Sequence, residues 1–289
     1  MVYIRRFILM IQFLTALPVK VNTKSGREDF GKGLALAPLV GLVLGALLAG
    51  FNYLLALLFQ PLVAAVLTVA VYILLTGGLH MDGLGDTADG VFSNRPAERT
   101  LEIMKDSRAG TNAVIALILV ILADISLIAS FEESYVTPVL LLMPVTGRIG
   151  SLIGAGASRY AGVSDGPGRW TVEHCGRKEI IIGLVLYILI IVAAAGIFTL
   201  PYTSPAQSGG LPGIATDPTG EVGSLKRIAA GLPPINVLFP ATMVIPPLSS
   251  LILARLLGKK LGGVTGDILG AICEINQVIF LFTAYIVKA

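Results

Sequence analysis

The chain has 289 residues, of which 55% are hydrophobic and only 13% are charged, with a formal net charge of +3 and a mean hydropathy of +0.84. Charged residues make up about a quarter of an ordinary soluble domain, so this composition excludes a water-soluble enzyme and predicts an integral membrane protein. Cys175 and Cys273 lie in different regions without metal-ligand spacing, so they predict neither a disulfide framework nor a zinc site.

Seven segments are apolar over a stretch long enough to cross a membrane. A spanning helix needs about 20 mostly apolar residues, and no alternating strand pattern of the kind that builds a membrane barrel is present. The predicted fold class is all-α, a polytopic transmembrane helix bundle that forms one domain over residues 1–289. The predicted spans are Leu34 to Phe59, Leu62 to Thr76, Ala113 to Phe131, Val136 to Ala157, Ile180 to Leu200, Ile235 to Leu257 and Ile268 to Val287.

The first segment resembles a signal peptide in charge and length, because Arg5 and Arg6 precede the apolar stretch Phe7 to Val19. It lacks a convincing small-residue cleavage site, and the stretch is short for a full crossing. We therefore expect a retained N-terminal helix that lies at the membrane interface or is half inserted. In the first predicted span, Gly41 and Gly45 are four residues apart, a spacing that favours close helix packing.

The basic residues indicate which connections face the cytoplasm. If the spans alternate in direction, the connections 20–32, 79–110, 158–179 and 258–266 lie on one side and contain most of the 21 basic residues. The connections on the other side contain only Lys226 and Arg227, within a segment from 201 to 234 that is rich in Gly and Pro and that we interpret as a loop or linker. The positive-inside rule predicts that the first group is cytoplasmic.

One cytoplasmic connection combines carboxylates with glycines. Asp82, Asp86 and Asp89 are spaced by four and three residues, which places them on one face of a helix. Glu102 and Asp106 repeat the spacing of four. Carboxylates at such spacing repel one another, so we expect a cation among them. Magnesium (Mg2+) prefers hard oxygen ligands and is commonly held by a few carboxylates together with substrate phosphates.

Glycines and basic residues accompany these acids. Lys105 and Arg108 are suited to binding phosphoryl oxygens. We interpret the segment 77–110 as a catalytic segment for metal-assisted phosphoryl transfer. The alternative is a solvated acidic loop whose charges are paired with nearby basic residues. For His80, a catalytic role and a structural role are both open. Glycine occupies positions 77, 78, 83, 85 and 90 of this segment. Because each glycine costs about 1 kcal/mol in a helix interior, we do not expect one continuous helix across the segment.

Charged residues in or near the predicted spans are further candidates. Arg148 either faces a substrate phosphate or pairs with Asp124 in the preceding span. Asp267 and Glu274 are seven residues apart and share a helix face, although Thr265-Gly266-Asp267 is also a plausible helix cap. Arg159 lies in a glycine-containing cytoplasmic loop and is either a substrate-binding residue or a topology signal.

The acidic segment has a specific family resemblance. Residues 79–90 read Leu-His-Met-Asp-Gly-Leu-Gly-Asp-Thr-Ala-Asp-Gly, and residues 102–108 read Glu-Ile-Met-Lys-Asp-Ser-Arg. These motifs resemble the hallmark of the cobalamin synthase family, the adenosylcobinamide-GDP ribazoletransferases. Residues 13–19 and 262–274 also resemble that family, so the similarity covers nearly the whole chain. Gly85 stands where alanine is expected.

The resemblance implies an enzyme that joins adenosylcobinamide-GDP to α-ribazole or its 5′-phosphate and releases GMP. On this hypothesis Asp82, Asp86, Asp89 and His80 are catalytic, and Mg2+ is held by carboxylates. The candidate metal ligands are Asp82, Asp86, Asp89, Glu102 and Asp106. The candidate substrate-binding residues are Lys105, Arg108, Arg148, Arg159 and Asp267.

We expect such an enzyme in the cell (inner) membrane, with the lipid bilayer as a partner, an active site that faces the cytoplasm, and no nucleic-acid partner. A homo-oligomer or a complex with other cobalamin-assembly enzymes stays open. One alternative is a lipid phosphotransferase of the CDP-alcohol type, although its pattern Asp-x-x-Asp-Gly-x-x-Ala-Arg is absent. The other is a membrane transporter, which the position of the acids at the end of a span disfavours.

Overall fold

A computed structural model describes residues 2–22, 24–199 and 234–288. Within these ranges the chain is helical and contains no β-strand, only one isolated bridge between Tyr160 and Val264. The predicted all-α class is confirmed. The connection predicted from 201 to 234 lies outside the described residues, except for Pro234, which begins a helix.

The helices follow the predicted spans closely. In chain order they are α1 (Val2–Leu14), α2 (Arg27–Gly33), α3 (Ala37–Ala56), α4 (Pro61–Thr76), α5 (Leu79–Phe92), α6 (Ala97–Ile103), α7 (Thr111–Ser130), α8 (Glu133–Gly156), α9 (Pro167–Glu173), α10 (Arg177–Thr199), α11 (Pro234–Gly258) and α12 (Gly266–Lys288), with a 3-10 turn over Leu34–Leu36. Six helical segments in the described ranges are long and apolar enough to cross a membrane, and a seventh arises if the bent pair α4 and α5 is one span. The polytopic bundle is confirmed.

The N-terminal helix ends before its apolar stretch does. Helix α1 stops at Leu14, whereas the apolar residues continue to Val19. Pro18 disfavours the helical conformation in the residue before it. The backbone N–H of Ala16 instead donates a hydrogen bond of 2.7 Å to the carbonyl of Leu75 in α4. The segment after α1 is therefore attached to the bundle.

Helix α2 connects α1 to α9. The buried carboxylate of Asp29 accepts hydrogen bonds of 2.9 Å from Arg5 and from Arg6. On the other side of α2, a Cβ added at Gly31 would lie 2.7 Å from the backbone nitrogen of Cys175. Helices α1, α2 and α9 therefore pack together at one end of the bundle.

The predicted close packing of the first span is confirmed, and its partner is α8. A Cβ added at Gly41 would lie 2.7 Å from the carbonyl oxygen of Pro144, and one added at Gly45 would overlap the backbone of Leu141. The two glycines therefore allow the backbones of α3 and α8 to touch.

A glycine pair separates α4 from the helix that carries the acids. Gly77 and Gly78 have φ angles of 61° and 70°, in the left-handed region that glycine adopts without strain. Helix α5 leaves this turn at 91° to α4. It contacts the first turns of α7 and α12, since Gly85 faces Ala113 and Gly83 faces Asp267. Helix α5 therefore lies across the end of the bundle, outside the spanning segments.

The expectation that glycines interrupt the acidic motif is wrong beyond Gly78, because α5 is continuous through its three internal glycines. Tertiary packing explains the difference. A Cβ at Gly83 would lie 2.8 Å from the carbonyl oxygen of Asp267, and one at Gly90 would overlap Met104. These glycines permit helix contacts that offset their low helix propensity.

Gly45→Ala should lower the stability of the bundle by about 1–3 kcal/mol or more, since the added methyl has no space against α8. Gly50→Ala in the same helix is the control, because nothing lies within 4 Å of its added Cβ. Thermal unfolding of both variants in detergent measures the difference. Equal unfolding temperatures would contradict the packing described for α3 and α8.

Candidate functional site

A cavity of about 380 Å³ lies at the end of the bundle that α5 crosses. Charged side chains from four elements line it, namely Asp82 of α5, Lys105 after α6, Arg169 of α9 and Asp267 of α12. The rest of its wall is largely apolar. The apolar side chains of that wall include Phe13, Leu14, Leu34, Leu79, Leu101, Met104 and Leu269.

Four carboxylates are close enough at this end of the bundle to repel one another. Asp86 is half-buried on α5, and its pKa is raised to about 7, first by burial and then by the charges of Asp82, Asp267 and Asp89. Asp82 is exposed to the cavity, and Asp267 reaches it because Gly83 lets α5 pack directly on the start of α12. A cation placed among these groups would relieve the repulsion.

Thr265, not Asp267, caps helix α12. The Oγ1 of Thr265 accepts a hydrogen bond of 3.2 Å from the backbone N–H of Ile268, as a helix N-cap does. The Thr265 hydroxyl also donates to Asp267 Oδ2 at 3.3 Å, which orients that carboxylate on the cavity wall. Thr265 is thus the capping residue of the predicted cap Thr265-Gly266-Asp267, and Asp267 lies in the first turn of the helix.

Asp89 has a structural role that sequence spacing did not reveal. Its Oδ2 accepts a hydrogen bond of 2.6 Å from the N–H of Gly110, and its Oδ1 accepts one of 2.9 Å from the N–H of Ala113. These donors are at the N-terminus of α7, whose first backbone N–H groups lack partners within the helix. Asp89 thus fastens α5 to α7, and its predicted role as a metal ligand stays a prediction.

Glu102 and Asp106 do not join the carboxylate group. Helix α6 ends at Ile103, so their spacing of four does not place them on one helix face. Glu102 pairs with Arg99, and Asp106 accepts two side-chain hydrogen bonds from Arg108, of 3.0 and 2.7 Å. These bonds lower the pKa of Asp106 to about 2.

The predicted substrate-binding cations are placed differently from one another. Lys105 lines the cavity near Asp267 and has no ion-pair partner within 4 Å in the described part of the chain. Arg108 is held by Asp106 on the exposed surface, and Arg159 is exposed beside the cavity without lining it. Lys105 is thus the predicted cation that the structure places at the cavity.

Arg148 belongs to a hydrogen-bond network inside the bundle. Its Nη1 donates to the hydroxyl of Tyr72 at 3.1 Å, and that hydroxyl donates to Glu274 Oε1 at 2.8 Å. Gln277 donates to the same hydroxyl at 2.8 Å and to Glu274 Oε2 at 3.0 Å. Tyr72 therefore bridges a buried guanidinium and a buried carboxylate, and links α4, α8 and α12. This arrangement replaces both expected roles of Arg148, because it neither lines the cavity nor pairs with Asp124.

His80 lies between the cavity and this network. It lines the cavity but is only 5% exposed, and its Nδ1 has no hydrogen-bond partner among the residues that the structure describes. On its inner side, ligand atoms of His80, Cys273 and Glu274 lie within 4.8 Å of one another. Arg148 is close enough to act electrostatically on His80, which disfavours a metal cation at that inner position.

The fold is that of an integral membrane protein. At one end of its helix bundle, clustered carboxylates and a lysine meet in a cavity, an arrangement suited to a phosphorylated substrate and a cation. Residues 6–285 match the profile of a protein family described as cobalamin-5-phosphate synthase. The chain belongs to this family.

Curated relatives match over nearly the full length of the chain. It is 42% identical to an adenosylcobinamide-GDP ribazoletransferase of Clostridium acetobutylicum, over 99% of this chain and 98% of the relative. It is 41% identical to the protein of the same name from Acetivibrio thermocellus, over the full length of both chains. The corresponding protein of Clostridioides difficile is 32% identical over 98% of this chain and 97% of its own. No solved structure matches the chain.

The raised pKa of Asp86 predicts a pH-dependent stability without a bound cation. Between the ordinary carboxyl value of 3.8 and about 7, the folded state keeps a proton that the unfolded chain releases. The free energy of unfolding should therefore fall as pH rises through this window. Thermal unfolding in detergent with a chelator measures it, and Asp86→Asn should flatten the profile. A wild-type profile that rises with pH relative to the variant would contradict the charge cluster.

The Arg148 network predicts strong coupling between two buried charges. Glu274→Gln alone should destabilise the protein by about 3–5 kcal/mol, since it leaves a buried guanidinium without its carboxylate. Removing both charges with Arg148→Met and Glu274→Gln should cost less than the two single changes added together. A double-mutant cycle of unfolding free energies in detergent measures the coupling. Strictly additive values would show that the two charges do not interact through Tyr72.

Proposed function

We propose that this protein joins adenosylcobinamide-GDP to α-ribazole or its 5′-phosphate in cobalamin biosynthesis and releases GMP. The observation that carries the proposal is the cavity in which Asp82, Asp267 and Lys105 meet. Two full-length relatives at 41% and 42% identity carry the name of this activity. A pyrophosphate substrate needs both cationic groups and a place for developing negative charge, and this cavity supplies groups suited to both.

The reaction requires one bond to form and one to break at phosphorus. A ribose hydroxyl oxygen of α-ribazole bonds to the phosphorus that carries the corrinoid, and the bond from that phosphorus to the oxygen of GMP breaks. The hydroxyl proton passes to a carboxylate of the cavity acting as general base. Lys105, which has no ion-pair partner among the described residues, binds the phosphate oxygens and offsets their charge.

The carboxylates near the cavity are candidate ligands for Mg2+. Carboxylate oxygens are the hard ligands that Mg2+ prefers. Asp82 and Asp267 are near enough to Asp86 that their charges add to the effect of burial, which is the larger cause, in raising the pKa of Asp86 to about 7. We propose these three residues as the ligands, in place of Glu102 and Asp106, whose charges are already paired. The bound ion would neutralise negative charge on the phosphoryl oxygens during transfer.

We also propose that the protein resides in the cell (inner) membrane with the cavity facing the cytoplasm. The connections at the cavity end carry most of the basic residues, including those of 20–32 and 158–179. Such residues are retained on the cytoplasmic side of a membrane. Both substrates would then reach the cavity from the cytoplasm.

The activity is tested directly with purified protein in detergent. Adenosylcobinamide-GDP, α-ribazole 5′-phosphate and Mg2+ should give GMP and a completed corrinoid in equal amounts, and a chelator should stop the reaction. CDP-diacylglycerol with an alcohol is the control substrate pair and should give no product. Absence of GMP from an enzyme that remains folded would overturn the proposal.

Substitution of the cavity carboxylates should lower the activity far more than substitution of an acid that is already paired. Asp82→Asn or Asp267→Asn should lower kcat/KM by at least about a hundredfold, since loss of charge stabilisation at a phosphoryl group costs several kcal/mol. Asp106→Asn is the matched control, because its carboxylate is bound to Arg108 away from the cavity. It should keep activity within about threefold of wild type, less than 1 kcal/mol. The rate of GMP release at saturating Mg2+ is measured for all three variants. A complete loss of activity in Asp106→Asn would make Asp106 a candidate metal ligand again.

A further inference from the structure

We infer that the cavity is the binding site of the base and ribose of α-ribazole, and that the corrinoid and guanosine parts of the other substrate bind outside it. The inference rests on the proposed function and divides its two substrates between two places. It follows from the size of the cavity, from the chemistry of its wall and from the position of its charged side chains.

The size of the cavity favours the smaller substrate. A volume of about 380 Å³ is at the lower end of the range of about 300–1,000 Å³ that small-molecule sites occupy. A nucleoside with a two-ring base is of this size, whereas a corrinoid macrocycle with its side chains is several times larger. The corrinoid must therefore remain outside, next to the opening.

The chemistry of the wall distinguishes between two nucleosides. Guanine carries several hydrogen-bonding groups that need partners when buried, because an unpaired polar group is costly in an apolar site. The charged groups Asp82, Asp267 and Lys105 are at the proposed place of reaction. The fourth charged side chain, Arg169, is paired with Glu173. Most of the surface of the wall is apolar and is formed by Phe13, Leu34 and similar side chains. A benzimidazole base is apolar except for one free ring nitrogen, so it matches such a wall.

The wall also contains a polar atom that lacks a partner. Thr171 of α9 lines the cavity and is only 3% exposed, and its Oγ1 has no hydrogen-bond partner in the described part of the chain. A hydroxyl group can rotate to donate to an acceptor. The single free nitrogen of a benzimidazole nucleoside is such an acceptor.

An aromatic contact holds the wall in place. The ring of Phe13 packs edge-on against Phe30 with a centroid distance of 5.4 Å, and Phe30 packs against Trp170 at 5.3 Å. The three rings connect α1, α2 and α9, and Phe13 also lines the cavity. With the base against this wall, the ribose reaches the side that carries Asp82 and Asp267, where its hydroxyl attacks.

The test compares KM values for the two substrates. Phe13→Ala should raise KM for α-ribazole about tenfold, as loss of a buried aromatic contact does. It should leave KM for adenosylcobinamide-GDP within about twofold. Phe7→Ala is the matched control, since it removes a half-buried ring from the same helix without touching the cavity. Thr171→Val should raise the same KM, and Thr171→Ser should restore it.

An equilibrium measurement separates this inference from the proposed function. Equilibrium dialysis of α-ribazole against the full chain in detergent, without Mg2+ and without the second substrate, should show binding that Phe13→Ala and Thr171→Val weaken. Equal binding by wild type and both variants would overturn the inference, and so would a rise in KM for adenosylcobinamide-GDP alone or for both substrates equally. If wild type binds α-ribazole but releases no GMP, the proposed function fails while the assignment of the cavity stands.

Discussion

The direct contact between α5 and the first turn of α12 is the constraint on which the site depends. A Cβ at Gly83 would lie 2.8 Å from the carbonyl oxygen of Asp267, and one at Gly270 would lie 3.2 Å from the carbonyl oxygen of His80. Because both glycines lack side chains, the two helices meet backbone to backbone. Asp82 and Asp267, which are far apart in sequence, can then line one cavity.

The bundle contains two sets of charged residues at different depths, and only the deeper set is paired within the described part of the protein. Deep in the bundle, Tyr72 bridges Arg148 and Glu274, so the protein itself pairs these two charges. At the end of the bundle, Asp86 lies among other carboxylates and has a pKa raised to about 7. Uncompensated charge beside a cavity is what a binding site for a cation and a phosphate requires. The inner network supports the helices, and the outer group is available to ligands.

Sequence alone predicts the spans because the hydrocarbon layer demands long apolar helices, and it predicts the acidic segment because acids are rare in such a composition. It does not predict which acids reach the cavity. Asp89 is bound by the N–H groups of Gly110 and Ala113, and Asp106 by Arg108, and such pairings arise only when elements meet. Sequence alone does not predict the continuity of α5 for the same reason, since its glycines are favoured by close contacts with neighbouring elements and not by local helix propensity.

The N-terminal helix has a larger role than its resemblance to a signal peptide implies. Arg5 and Arg6 hold the buried Asp29 of α2, and Phe13 and Leu14 line the cavity itself. The N-terminal helix therefore contributes directly to the wall of the cavity. The same basic pair that resembles a targeting signal thus has a structural partner, because a buried carboxylate is stable only when its charge is paired. Helix α1 therefore forms part of the site, and its position at the end of the bundle follows from the ion pairs with α2.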